Sequence, residues 1–483
     1  MKKLSAIFLR NCAETRDRRL PRPAETGRGL GRRVLILRTF GLLTPALSSR
    51  EGGEGVESAR VRFTRLLICL PLIVAVKVLH AQDAMTTLAG QALVSGAVNG
   101  TGTNAAFSDP AAMIADANGN LFVADSGNHA IRKITPDGVV MTFAGKLGVA
   151  GSANGTGTAA RFNSPSGLAF DPAGNLYVSD TGNGTIRKIT PAAKVSTFAG
   201  VAGAGGFLDG AAGVALFSSP LGIVVAPNGT VYVADSGNHC IRKIAGGVVS
   251  TFAGFPRVWG SVDAQGTNAE FNGPVGIAFD SRTNLFVSDA NNDTIRKIAP
   301  DGTVTTFAGV AGSDGAADGD LNSARFRSPA ELTFDRKGNL FVADSLNQTV
   351  REISTNGIVS TVCGAAGVYG ADDGVNGTGR FYNPYGIVVA ADGSLRVADT
   401  YNELIRTVLI PFSLTLQISG VPPVANLSWD AVIGKKYQVQ FRDNLAADWS
   451  NLGLPVTAAS LSMSSTDKSG AGLQRFYRVL VMP

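Results

Sequence analysis

The chain has 483 residues, of which 45% are hydrophobic and only 17% charged, and it carries 59 glycines. The net charge of +6 is unevenly spread: residues 1–81 hold 16 basic and 6 acidic side chains, leaving 27 basic against 31 acidic in the rest. A mildly acidic body lacks the basic footprint that phosphate backbones demand, so nucleic acid is not an expected partner.

Residues 1–60 are Arg- and Gly-rich and aperiodic. They read as a disordered leader, or as the product of a start site assigned too far upstream. Residues 61–81 have the layout of an export signal: Arg62 and Arg65, the apolar run LLICLPLIVAV, then LHA before Gln82. Pro71 and Lys77 interrupt the run, which is short for a bilayer span. No integral membrane span is expected once the signal is removed, and the rest should be secreted, periplasmic or at the cell surface. An uncleaved anchor is the alternative. Of the four cysteines, Cys240 and Cys363 would remain, at non-equivalent positions that imply no disulfide framework.

From Leu121 onward one sentence recurs six times: LFVADSGNHAIRKI, LYVSDTGNGTIRKI, VYVADSGNHCIRKI, LFVSDANNDTIRKI, LFVADSLNQTVREI and LRVADTYNELIRTV. Its acids Asp125, Asp180, Asp235, Asp289, Asp344 and Asp399 are spaced 55, 55, 54, 55 and 55 apart. A fixed period of that length means stacked supersecondary units. Each unit holds four short runs rich in Val, Ile, Phe and Tyr, separated by Gly, Pro and Asn turns; the second copy reads GLAFD, LYVSD, TIRKI and KVSTFAG. Six four-stranded antiparallel sheets stacked face to face predict an all-β, six-bladed β-propeller over residues 82–410. The last copy lacks a TFAG run, whereas an orphan strand, MTTLAG, precedes the first, so the N-terminal strand should complete the sixth sheet.

Within the motif, a turn that sets Asp125 opposite Ala130 sets Arg132 opposite Val123, so acid and Arg share a face diagonally. Such pairs between packed sheets should orient rather than catalyse, and the six Asp are read as structural. The pattern P-x-G-[IL]-x-x-D…G-N-L-[YF]-V-[AS]-D…N…I-R-K-I resembles the NHL repeat, over residues 85–410. The resemblance implies a propeller but spans many functions: ligand- and protein-binding modules, RNA-binding domains, sensors and a zinc-dependent lyase, with metal-dependent lactonases among similar rings. Residues 411–483 break the period, with alternation in YQVQFR and RFYRVLV that predicts a small β-sandwich. Their stretch SWDAVIGKKYQVQFRDNLAADWSNLG resembles fibronectin-III-like modules.

Antiparallel order puts the long fourth-to-first loops and the second-to-third turns on one face. In those loops Asn99, Asn154, Asp209, Asp263, Asp318 or Asp373 stands eight residues before a Phe, a spacing that fits a cap and an apolar plug. Copies disagree on that face after the motif Asn (His129, Gly184, His239, Asp293, Gln348, Glu403) and after the loop Pro (Ala111, Ser166, Leu221, Val275, Ala330, Tyr385). Glu331 fills a slot otherwise held by Gly167, Gly222, Gly276 and Gly386. The candidate ligand residues are therefore His129, Ser166, His239, Asp293, Glu331, Gln348, Tyr385 and Glu403, because recognition concentrates in loops on a rigid ring. No catalytic residue is assigned. Two histidines fall short of a zinc triad, and the lactonase resemblance makes Glu331 a weak metal candidate. Asp314, Asp318 and Asp320 lack the full ligand series of a calcium loop, so no cofactor is expected, calcium being the one considered. The resulting expectation is a monomeric, non-catalytic module that binds a protein, peptide or glycan. The competing expectation is a metal-assisted hydrolase or lyase, lactonase-like or amidating-lyase-like, using the channel mouth of the same face.

Overall fold

The computed structural model describes Leu37–Arg38 and residues 84–482, apart from 376, 411–413, 420–423, 432–433, 444–446, 461 and 469–474. Leu37–Arg38 is a two-residue strand beside Phe476–Met482. The rest of the expected leader and the whole of the expected signal lie outside the described residues. Among the described residues, regular structure consists of strands and single-turn 3-10 helices, and no helix is long and apolar enough to cross a membrane.

Residues 84–409 form six antiparallel sheets, each four strands deep. The inner strands start at a proline: Pro110–Ala115, Pro165–Phe170, Pro220–Val225, Pro274–Phe279, Pro329–Phe334 and Pro384–Val389. Proline suits the first residue of a strand, where its missing N–H leaves no ladder bond unmade. Each inner strand neighbours the next, and the last neighbours the first, so they surround a common axis. Four of the second strands, such as Leu285–Asp289, are buried along their whole length, and the other two at all but one residue, because sheets cover them on both sides.

No single core exists. Apolar clusters lie between successive sheets: Phe122, Ala124 and Ile131 of the first pack on Phe162, Leu168 and Val178 of the second. Ala398 and Ile405 of the sixth pack on Phe107, Val123 and Ile134 of the first. Edge-to-face aromatic pairs line these interfaces: Phe286 meets Phe307 of its own sheet at 4.9 Å and Phe334 of the next sheet at 5.0 Å.

The outermost strand of the sixth sheet comes from the other end of the chain. Ala84–Gly90 pairs antiparallel with Leu404–Leu409, Thr87 opposite Arg406. In five sheets a two-residue strand from the preceding loop, such as Gly319–Asp320, caps the outer edge; in the fourth, a bridge from Gln265 to Thr303 takes that place. Covered edges of this kind resist edge-to-edge pairing with other chains.

Beyond the ring, Leu414–Ser419, Val424–Asp430 and Ser462–Asp467 form one sheet, and Lys436–Arg442 pairs with Phe476–Met482 in another. Leu427, Trp429, Tyr437, Val439 and Tyr477 belong to the core between them. Lys337, in a turn of the fifth sheet, pairs with Asp430 at 2.6 Å.

Candidate functional site

The repeated charges are consumed inside the ring. Asp125 accepts from the Ser108 backbone N–H (2.8 Å), the Asn128 amide (2.9 Å) and the Arg132 guanidinium (2.6 Å). Arg132 is fully buried over the Phe107 ring and reaches the Val98 carbonyl and Asn99 in the fourth-to-first loop. The same set recurs in every sheet, with Asp209, Asp263, Asp318 and Asp373 taking the place of Asn99 beside Arg242, Arg296, Arg351 and Arg406. In the sixth sheet the N-terminal strand supplies Thr87, which donates to Asp373 at 3.0 Å. Burial pushes Asp125, Asp235, Asp289, Asp344 and Asp399 up to about 6, against the pull of the Arg and of the amide donors.

The residues after the motif Asn lie between sheets rather than together. Each closes a tight turn in the left-handed region, from φ 56° at His129 to 64° at Gly184. Five of them accept a backbone N–H from the loop of the next sheet: His129 Nδ1 from Ser164 (3.1 Å), His239 Nδ1 from Gly273 (3.0 Å), Asp293 from Ser328 (2.8 Å), Gln348 from Asn383 (2.5 Å) and Glu403 from Asp109 (2.7 Å). Gly184 has no side chain to do so. What these residues share is an acceptor of suitable reach. Accepting at Nδ1 puts the proton of each neutral imidazole on Nε2. Desolvation lowers both histidines below their ordinary value, which favours that form. Desolvation raises Glu403 to about 7, the Asp109 N–H pulling the other way.

The residue after each loop Pro and the next one form a bulge where the inner strand meets its partner, as between Pro329 and Leu332. Bulges re-aim side chains, here towards the axis. Leu221, Val275, Ala330 and Tyr385, from four successive sheets, pack together there, and Tyr385 also meets the cluster holding Ala111. Ser166 is spent within its own turn, donating to the Ser164 carbonyl and accepting from Thr181. At Gly167, Gly222 and Gly386 an added Cβ would stand 2.1, 2.3 and 2.1 Å from a carbonyl oxygen of the neighbouring inner strand. Glycine there lets the strands close around the axis.

Glu331 breaks that rule. It is partly exposed towards the axis yet densely surrounded by protein, and burial raises its carboxyl to about 8. Tyr385 stands near enough that the Glu331 charge adds to the effect of burial in raising its phenol.

Sequence reasoning missed a tyrosine cluster in the loop and turn of the sixth sheet. Tyr382 lies 5.0 Å from Tyr369 and 5.2 Å from Tyr401, ring centroid to ring centroid. The signal was present. Tyr382 replaces Ser108, Asn163, Ser218, Asn272 and Arg327 of the other copies, and Tyr401 replaces Gly127, Gly182, Gly237, Asn291 and Leu346. The two slots touch, since a Cβ on Gly127 would meet Ser108 at 2.4 Å. They had to enlarge together. Trp259 (69%), Tyr369 (66%) and Leu93 (66%) are the most exposed large apolar residues of the loop face. The opposite face is built of turns such as Asp171–Asn175, where the carboxylate caps the turn N–H groups. Among the described residues, no group of three or more His, Cys, Asp or Glu is placed to hold a metal ion.

Comparison with known proteins places the repeat. The NHL repeat matches residues 162–189 and 217–244, each running from a buried Phe to the end of a third strand. The chain is 27% identical to human NHL repeat-containing protein 2 over 75% of its own length and 53% of that protein. It is 30% identical to Protein SUPPRESSOR OF QUENCHING 1, chloroplastic, of Arabidopsis thaliana over 53% of its length and 26% of that protein. The chain thus spans about half or less of these curated relatives. Among solved structures, an auxiliary nutrient binding protein from Bacteroides thetaiotaomicron superposes with a TM-score of 0.52 at 15% identity, covering 68% of this chain and 76% of that one, a likeness of fold.

Proposed function

We propose that this protein is an exported, non-catalytic NHL-repeat propeller of six blades that binds a peptide, protein or glycan through its loop face. A fibronectin-III-like module at residues 411–483 would serve as spacer or attachment unit. One observation carries the reading: several bulky or charged side chains that depart from the repeat lie at the fifth and sixth sheets. There Glu331 fills a slot that four other sheets give to glycine, and Tyr385 and the cluster of Tyr369, Tyr382 and Tyr401 bring four aromatic rings to the same side of the ring. Large aromatic rings with a polar edge are the usual anchors of a recognition surface. The Lys337–Asp430 pair joins the C-terminal segment to a turn of the opposite face, which leaves the loop face open to a ligand. A nutrient-binding role in a protein of similar fold fits the same picture.

The test is a glycan and peptide array probed with the full chain and with Tyr369→Ala, Trp259→Ala and Asp137→Ala. Loss of a true anchor costs more than about 1 kcal/mol, roughly fivefold in affinity, at Tyr369 or Trp259. Asp137, exposed in an opposite turn, should be silent. If Asp137→Ala weakened binding most while folding stayed intact, the face would be wrong. Sedimentation of the purified chain should give a monomer.

A further inference from the structure

Glu331 and Tyr385 form an arrangement that no other pair of sheets repeats. The collar around the axis consists of Leu221, Val275, Ala330 and Tyr385, with Ala111 beyond, and it carries no basic side chain. In the slot next to it, four of the other sheets have glycine and the first has Ala112, so Glu331 alone adds a charge. Among the described residues, its carboxyl has no ion pair or side-chain donor. Burial and the Leu332 backbone N–H alone act on its titration. An uncompensated carboxylate in apolar surroundings is costly to the fold, and a fold gains nothing from it unless something arrives to pair with it. A carboxylate near a tyrosine and next to an aliphatic collar matches a cation on a hydrocarbon chain. The carboxylate supplies charge, the ring supplies its negative face and the collar takes the methylenes. A single carboxylate suits a divalent metal poorly, because hard cations ask for six or more oxygens.

We propose that the mouth of the axis between the fifth and sixth sheets is a site for a primary ammonium on an alkyl chain, the chemistry of a lysine side chain, held by Glu331 and Tyr385. This rests on the loop-face binding reading and gives its ligand a chemical class.

The full chain is titrated calorimetrically with hexylammonium, with hexanol, with N-acetyl-lysine N-methylamide and with 1,5-diaminopentane. Hexylammonium should bind saturably and hexanol far more weakly. Binding of the lysine amide over the diamine assigns the site to peptides, and the reverse order assigns it to free amines. Glu331→Gln should weaken ammonium binding at least about tenfold, and Tyr385→Leu about threefold, with hexanol unaffected. Affinity should rise with pH as the Glu331 carboxyl ionises, and that dependence should vanish in Glu331→Gln. Equal affinity for hexanol and hexylammonium, retained binding in a folded Glu331→Gln, or displacement of the amine by millimolar calcium would each overturn the assignment. If Tyr369→Ala abolished array binding while Glu331→Gln left it untouched, the ammonium site would fall and the loop-face reading would stand.

Discussion

At the scale of single residues, the six buried arginines are the most exposed to mutation, in the energetic sense. Each guanidinium is fully buried and each is shared between the acid on the neighbouring strand of its sheet and a loop 33 residues earlier in the chain. Removing the acid strands that charge, so Asp235→Ala should cost about 3–5 kcal/mol by urea denaturation. A loss below about 1 kcal/mol would mean that the loop carboxylate Asp209 suffices. Two groups should respond to pH in opposite senses. Burial raises Glu331 from 4.5 to about 8, so the fold prefers its protonated form. That stability is fully present below pH 4.5 and disappears as pH rises through about 8. Glu331→Gln should therefore gain melting temperature over the wild type as pH goes from 5 to 9, an effect moderated by solvent at the axis. Parallel curves would refute it. His129 and His239 are lowered, so their contribution is present above pH 6.5 and is lost as pH falls through their folded values. Gln348 already fills the same role, so His129→Gln with His239→Gln should keep the joints and flatten the acid limb of the melting curve.

At the scale of elements, the inner strands and the N-terminal strand decide most. Gly222→Ala puts a methyl 2.3 Å from the Val275 carbonyl oxygen and should cost about 1–3 kcal/mol, whereas Gly205→Ala, with nothing within 4 Å, should cost far less. Equal melting temperatures in the two variants would mean that the inner strands can move apart freely. Removing residues 82–90 strips the sixth sheet of its outer strand and of the Thr87–Asp373 bond. The exposed Leu404–Leu409 edge should lower the melting temperature and bring aggregation on size exclusion. An unchanged, monodisperse protein would contradict the role given to that strand.

At the scale of the molecule, the first and sixth sheets are tied by more than the borrowed strand. Thr400 donates to the Pro110 carbonyl at 2.8 Å, Glu403 accepts from Asp109, and a shared apolar cluster fills the interface. Such a ring should melt in one transition, because opening any joint exposes two apolar faces. Lys337 and Asp430 link the C-terminal segment to the ring by a partly exposed ion pair, and such a contact is worth about 0–1 kcal/mol. Truncation after residue 410 should move the main calorimetric transition by no more than about 3 °C. A larger drop would show that the segment helps to hold the ring.

Local chemistry in the sequence determined the sheets, their order and the antiparallel turns, because period, strand composition and turn residues are short-range signals. The diagonal from Asp125 to Arg132 is also local: the turn length alone sets Asp125 against Ala130 and Val123 against Arg132. The duties of His129, Asp293, Gln348 and Glu403 were not legible, since each acceptor meets an N–H in the next sheet. The sequence shows their variation but not the bond that they have in common. The tyrosine cluster was visible only as scattered departures from the repeat. Folding brought Tyr369, Tyr382 and Tyr401 together where the loop before the sixth sheet meets a turn of that sheet, and placed Glu331 near Tyr385 where the fifth and sixth inner strands are neighbours.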